Sequence, residues 1–406
     1  MIIMDKVCEY ILKNLDKTLR FNPEDRGTLI GVPMPYNVPC MKQTFNELYY
    51  WDTYFLNKGL IAAGNIEQAK NNCLNVKFLI DKFGYMPNGN RTFFLGASQP
   101  PFFAMMVKDV FEAERDISFL YSALESVKRE YLFWNTKRLA PNGLNVYGSD
   151  RSGDSHLSFY RDIVVPRLHY NGGEDKEKAI AIGEHYAAEA ESGWDFSPRF
   201  EGHCKNFNPV DLNCNLYKYE TFIAETEKYL GISDGSEWTE KAFVRAEKIN
   251  ELMWNEQRKC YFDYNFVCGK QSTVVSAASY YPFLRNVAGK KKIDSIDDLT
   301  AVLELPYGIS ATENMENNIY QWSYPAVWAP LQAIAFDSLV RCGKKNAAKR
   351  IAEKYLSVVK TNFEKSGRLW EKYNGLNGEV YDAIEYGTPE MMGWTAGAYL
   401  YFVKNL

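Results

Sequence analysis

Helix-period hydrophobicity, repeated along nearly the whole chain, is the feature that most narrows what this sequence can fold into. Apolar residues return at three- and four-residue spacing over 4–20, where Met4, Val7, Cys8, Ile11, Leu12 and Leu15 mark one face. The pattern recurs over 50–63, 66–82, 98–114, 117–139, 177–192, 211–231 and 237–254, then over 274–288, 294–303, 325–342, 345–364 and 390–404. Loops of Gly, Pro, Asn and aromatic residues join these stretches, which predicts about a dozen helices in pairs. Few segments alternate with the period of a strand; Tyr261-Phe262-Asp263-Tyr264 is the candidate for a short hairpin arm. Six hairpins closed into a toroid, an all-α (α/α)6 barrel, require twelve helices. A helical solenoid would show the same periodicity, but no self-similarity at about 34 or 40 residues is present. No linker divides the chain, so a single domain over 1–406 is expected.

Composition removes several classes of function. The 406 residues are 46% hydrophobic, enough for a large core, with a net charge of −4. With a pI near 5.8, nucleic acid is not an expected partner. No apolar run approaches the roughly 18 residues of a membrane span. The eight cysteines lack zinc-like spacing, and His156, His169, His185 and His203 show no ligand spacing, so no metal and no cofactor are expected. Charges within Met1–Glu9 interrupt the apolar run that a signal peptide needs. Cys204, Cys214, Cys260 and Cys268 could form bridges in a secreted chain, but without that run a reduced, cytoplasmic protein is predicted. Aromatic residues are plentiful (28 Tyr, 24 Phe and 9 Trp), a composition suited to packing on the C–H faces of sugars.

The chemistry-bearing residues fall at helix starts and in linking loops, among them Trp51-Asp52, Asn88-Gly89-Asn90-Arg91, Arg167, Asp195, Trp322 and Glu371. In a barrel of hairpins, alternate loops converge on one end. Asp195 stands between Trp194 and Phe196 just after Gly193, a helix stop; an acid between rings is poorly solvated and holds its proton longer. A plain loop aspartate beside two core aromatics would read the same. Glu371, between Trp370 and Lys372, also reads as a surface glutamate paired with that lysine. Asp52 also fits a helix N-cap, and Asn90 a turn.

Five segments, in order, resemble the family 37 trehalases. Ser192-Gly193-Trp194-Asp195-Phe196-Ser197 with Arg199 is similar to the segment that carries that family's catalytic acid. Phe45-Asn46-Glu47-Leu48-Tyr49-Tyr50-Trp51-Asp52 resembles the back half of its first signature. Phe83–Arg91 with Ser98-Gln99-Pro100-Pro101, Gln321-Trp322 with Trp328-Ala329-Pro330, and Glu371-Lys372-Tyr373 through Gly393-Trp394-Thr395 complete the set. The resemblance implies an (α/α)6 barrel and an inverting glycoside hydrolase of a small α-glycoside. It implies Asp195 as general acid and Glu371 as general base, with Phe45, Trp51, Asp52, Asn88, Gln99, Arg167, Trp322 and Glu385 around the sugar. The implied partner is a small-molecule carbohydrate.

The departures from the pattern are specific. Thr44 and Ala97 stand where the family has arginines, His169 replaces a glutamate, and Ser323 and Val327 replace an Asp and a Gly. Arginine forks hold sugar hydroxyls with directional, charge-assisted bonds that threonine and alanine cannot supply. Weak turnover of trehalose itself is therefore expected, with better turnover of another small α-glycoside. Two alternatives remain: a related hydrolase of an α-glucoside or α-mannoside with a charged aglycone, such as a glycosylglycerate, and a sugar-binding protein without catalysis.

Overall fold

The computed structural model describes residues 5–42, 44–171, 173–316, 319–382 and 387–406. The chain begins with α1 (Lys6–Asn14), then forms the hairpins α2 (Tyr50–Ala62) with α3 (Ile66–Phe83) and α4 (Phe103–Glu114) with α5 (Ile117–Lys137). An excursion follows, carrying α6 (Gly153–Phe159), a π-turn, α7 (Val165–Leu168) and α8 (Lys176–Glu191). The hairpin of α9 (Val210–Leu230) and α10 (Ser236–Leu252) comes next, then α11 (Tyr281–Leu284), α12 (Gly289–Lys292) and α13 (Ser295–Leu303). Finally come α14 (Ala329–Arg341), α15 (Lys345–Ser366) and α16 (Trp394–Asn405).

Packing sorts these into two rings. α2, α4, α9, α11, α14 and α16 touch in that order, and α16 returns to α2, which closes an inner ring. α3, α5, α10, α13, α15 and α1 lie outside it. The (α/α)6 expectation is borne out. The sequence explains both layers. α15 buries Ala348, Ile351, Ala352, Tyr355, Val358, Val359 and Asn362, the single stripe of an outer helix. α2 (YWDTYFLNKGLIA) is apolar nearly all round, as a helix covered on every side must be. The outer helices α3 and α5 start on side-chain caps, Asn65 to the Gln68 amide and Asp116 to the Phe119 amide.

Ring closure rests on a pair of glycines. A Cβ on Gly59 of α2 would lie 2.5 Å from the Gly397 Cα of α16, and one on Gly397 would lie 2.3 Å from the Phe55 carbonyl oxygen. Only glycine lets these two backbones meet. The 21–46 stretch, irregular as its composition suggests, ties the same seam: the Pro39 carbonyl accepts from the Met392 and Gly393 amides.

Three details differ from expectation. The 177–192 helix forms as α8 but packs on α6, outside the ring. Residues 274–288 give a 3-10 turn (Ala277–Tyr280) and a single short helical turn, because Pro282 sits at the start of α11. The 261–264 arm is split: Cys260–Tyr261 pairs with Trp254–Asn255, and Tyr264–Asn265 with Phe207–Asn208 and Lys270–Gln271.

Candidate active site

The N-terminal ends of the inner helices surround a cavity of about 240 Å³. Trp51 and Asp52 enter it from the first turn of α2, Trp394 from α16, and Trp328 from the strand that leads into α14. Asn88 and Gln99 come from the loops before α4, and Gly193 and Asp195 from the turn after α8. Phe45, Tyr49 and Phe94 form an aromatic side. Among the described residues, Glu371 is the third carboxylate in the cavity, beside Asp52 and Asp195.

A cluster of tryptophans supports it. The Trp322 and Trp328 rings are parallel within 5° at 3.8 Å, with Trp51 and Trp194 at 5.5 and 5.3 Å from Trp322 and Trp394 at 5.8 Å from Trp328. Such rings pack rigidly and offer flat apolar surface to a sugar.

The turn that presents Asp195 is tightly constrained. Gly193 has φ +72°, and a Cβ there would lie 2.8 Å from the Trp51 ring. Phe196, with a rarely tolerated φ of +62°, stacks on Tyr186. The buried Glu189 carboxylate accepts from the Ser197 amide at 2.5 Å. Glu191, fully buried at the end of α8, accepts from the Ser98 and Gly148 amides and from Arg138. One helix end therefore fixes both Asp195 and the Ser98–Gln99 loop. Gln99 in turn accepts from the Trp51 amide at the start of α2.

The Asp195 carboxylate receives the Gln321 amide at 3.2 Å and lies 3.5 Å from Arg167. Burial pushes its pKa up, and Arg167 and Lys372 oppose the shift. Burial prevails, which keeps the proton on longer. Glu371 is almost wholly buried, with Lys372 Nζ 2.6 Å from Oε2. Lys372 lies 4.7 Å over the Trp328 ring and pairs across the ladder with Trp328. Asp52 is pushed up to about 8, first by burial and then by the charges of Glu371 and Asp195. Near neutrality it is a neutral carboxyl, able to donate a hydrogen bond. Three like charges this close cannot all persist, and Asp52 gives way.

The structure thus brings Phe45, Trp51, Asp52, Asn88, Gln99, Asp195, Trp322 and Glu371 to one cavity. Arg167 stands behind Asp195, its guanidinium over the Phe196 ring. Glu385 lies outside the described residues. Asn90 is fully buried, its side chain spent on the Leu48 amide and the Ile30 carbonyl. The reading of Glu371 paired with Lys372 holds for the pairing, but the pair is buried, not on the surface. Sequence reasoning missed Gln321 as a partner of Asp195, although it flanks Trp322, which was singled out.

A closed ring of helical hairpins with carboxylates and a tryptophan floor at one mouth is the architecture of a glycoside hydrolase. Residues 3–406 match the Trehalase family. The chain is 31% identical over 405 residues to the periplasmic trehalase of Escherichia coli O1:K1 / APEC, covering 93% of this chain and 70% of that one. The neutral trehalase Nth1 of Saccharomyces cerevisiae superposes with a TM-score of 0.78 at 27% identity, covering 98% of this chain and 80% of that one. A GH63 mannosylglycerate hydrolase from Thermus thermophilus shares the fold, with a TM-score of 0.66 at 15% identity over 97% and 99% of the chains. The chain belongs to the trehalase family and is an O-glycosyl hydrolase.

The expected cytoplasmic location is overturned, because the curated relatives are periplasmic trehalases. The cysteines do not decide the compartment. All eight are free, but six are buried and Cys342 is half-buried, so unpaired thiols say little about the redox state outside.

Proposed function

We propose that the chain hydrolyses α,α-trehalose with inversion, using Asp195 as general acid and Glu371 as general base, and that it works in the periplasm as its relatives do. The observation that carries this reading is the convergence of Asp52, Asp195 and Glu371 on one tryptophan-floored cavity. Asp195, whose proton is retained by burial, protonates the glycosidic oxygen as the C–O bond breaks. Glu371 takes a proton from a water that attacks C1 from the opposite face, giving a β-hydroxyl. Lys372 fixes the Glu371 carboxylate, and neutral Asp52 donates to a sugar hydroxyl. Residues 1–406 act as one catalytic domain.

The losses at Thr44, Ala97 and His169 argue for poor trehalose turnover. Against them stand the family match over residues 3–406 and the presence of Trp51, Asp52, Asn88, Gln99 and Trp322 in the cavity. Thr44 is exposed, and neither it nor Ala97 lines the cavity. NMR of the first turnovers decides both points. Inversion yields one β- and one α-glucose per trehalose, whereas an all-α initial product would refute the mechanism. If kojibiose, nigerose, maltose or a glycosylglycerate is turned over better than trehalose by a wide margin, the substrate assignment fails.

A further inference from the structure

A second cavity of about 310 Å³ lies at the opposite end of the ring. It opens among Tyr54 and Lys58 of α2, Met105 to Asp109 of α4, the middle of α9, and the C-terminal ends of α11 and α14, whereas the carboxylate cavity takes the first residues of α2 and α16 and the approach to α14. Its charged groups are Lys58, Lys108, Lys218, Arg285 and Arg341, with Asp109, Glu225 and Asp337. Cations near helix C-termini are ordinary, because they offset the negative end of the helix dipole. That accounts for Lys58, which lies 2.9 Å from Asp337 and 4.2 Å over the Tyr401 ring.

Lys108 lies 3.6 Å from Glu112. The remaining three cations, Lys218, Arg285 and Arg341, face Asp109 and Glu225, and burial pushes the pKa of Asp109 up, towards its neutral form. Lys218 reaches only Thr221 Oγ1 at 3.5 Å and Glu225 at 3.6 Å, and that glutamate is 66% exposed. Burial pushes the Lys218 ammonium down to about 8, the behaviour of a cation short of counter-charge. Arg341, at the exposed end of α14, makes no ion pair among the described residues. Arg285 is only 8% exposed; Nε donates to Asn215, while its buried Nη2 has no hydrogen-bond partner among the described residues. Buried guanidinium donors are almost always partnered; this guanidinium has the Phe102 and Tyr281 rings at 5.8 and 6.0 Å, but its Nη2 lacks an oxygen acceptor among the described residues.

We propose that this cavity binds a small dianionic phosphate, either inorganic phosphate or a phosphate monoester, held by Arg285, Lys218 and Arg341. The surplus of positive charge suits a dianion, and a guanidinium fork matches phosphate oxygens. The site is separate from the hydrolytic one and does not depend on the identity of its substrate.

The test uses the full chain at low ionic strength, titrated calorimetrically with inorganic phosphate and, separately, with a hexose 6-phosphate. Dissociation constants of about 1 mM or tighter are expected for at least one of them. If only the ester binds, the ligand is a phosphate monoester; if only inorganic phosphate binds, it is the free ion. Lys218→Gln and Arg341→Gln should each weaken binding at least about tenfold. A wild-type measurement locates the site without any variant: acetic anhydride labelling near pH 8, read by peptide mass, should acetylate Lys218, and the bound anion should protect it. No binding below about 10 mM, binding unchanged in both variants, or labelling of Lys218 unaffected by the anion would each overturn the proposal.

Discussion

The two mouths of the ring are built from the same inner helices and have opposite chemistry. The N-terminal mouth holds Asp52, Asp195 and Glu371 among tryptophans; the C-terminal mouth holds five cations and little aromatic surface. Helix dipoles favour this polarity, each worth roughly 0.3–1 kcal/mol to a suitably placed charge. They do not set the state of the carboxylates, however. At the positive end of α2, Asp52 should be easier to ionise, yet its pKa is pushed up to about 8 by burial and two neighbouring acids. Desolvation thus outweighs the field of the helices, and proton-holding at this mouth is a property of its dry aromatic lining. The difference shows that the fold supplies a polarity, while the side chains decide how it is used.

The largest expected effect comes from removing the Glu371 carboxylate, the proposed base. Glu371→Gln should lower kcat on trehalose by about 10²–10⁴-fold, and activity near wild type would remove Glu371 from the mechanism. Asp195→Asn should cost about as much on trehalose but much less on α-glucosyl fluoride, whose leaving group needs no proton. Equal losses on both substrates would deny Asp195 the acid role. Gly397→Ala forces α16 away from α2 and should destabilise by about 1–3 kcal/mol, seen as a lower urea midpoint, with activity falling because Trp394 shifts.

Asp52 allows a sharper test of what holds protons at this mouth. The folded state keeps this proton up to about pH 8, whereas the unfolded chain releases it near the usual carboxylate value. The folded state therefore binds more protons in that window, and stability falls as pH rises through it, by up to about 1.4 kcal/mol per pH unit. Asp52→Asn should flatten the slope, measured as urea midpoints between about pH 5 and 8; an unchanged slope would show that Asp52 is ionised throughout. The smallest effect is expected at a residue that lines neither cavity. Asp116→Ala uncaps outer helix α5 and should cost about 1 kcal/mol while leaving kcat unchanged.

How legible each part is in the sequence depends on the physics. Outer helices such as α15 announce themselves by one apolar stripe, so the number and order of helices are readable. α8 has the same local signature as a ring helix, and nothing local says that it packs on α6 outside the ring. Trp51, Asp195 and Trp322 stand out through motif resemblance; their spacing carries no information about a shared cavity. Lys372 reads as a surface partner because adjacent opposite charges usually are, and its burial follows from the ladder with Trp328, a tertiary fact. The far mouth is invisible at this level: Lys58, Lys218, Arg285 and Arg341 come from four helices or their ends, with no motif to join them.

The glycine contact between α2 and α16 also bears on how the chain reaches its native state. The two helices come from opposite ends of the sequence, so the seam is among the most non-local contacts in the molecule. Non-local contacts form late, because the entropy of closing a long loop must be overcome before they contribute. During synthesis, five inner helices can assemble as an open arc, but the arc cannot close until residues 394–405 have emerged. Until then Trp51 lacks its Trp394 neighbour and the apolar flank of α2 is bare. The carboxylate cavity is therefore completed by the same event that completes the ring.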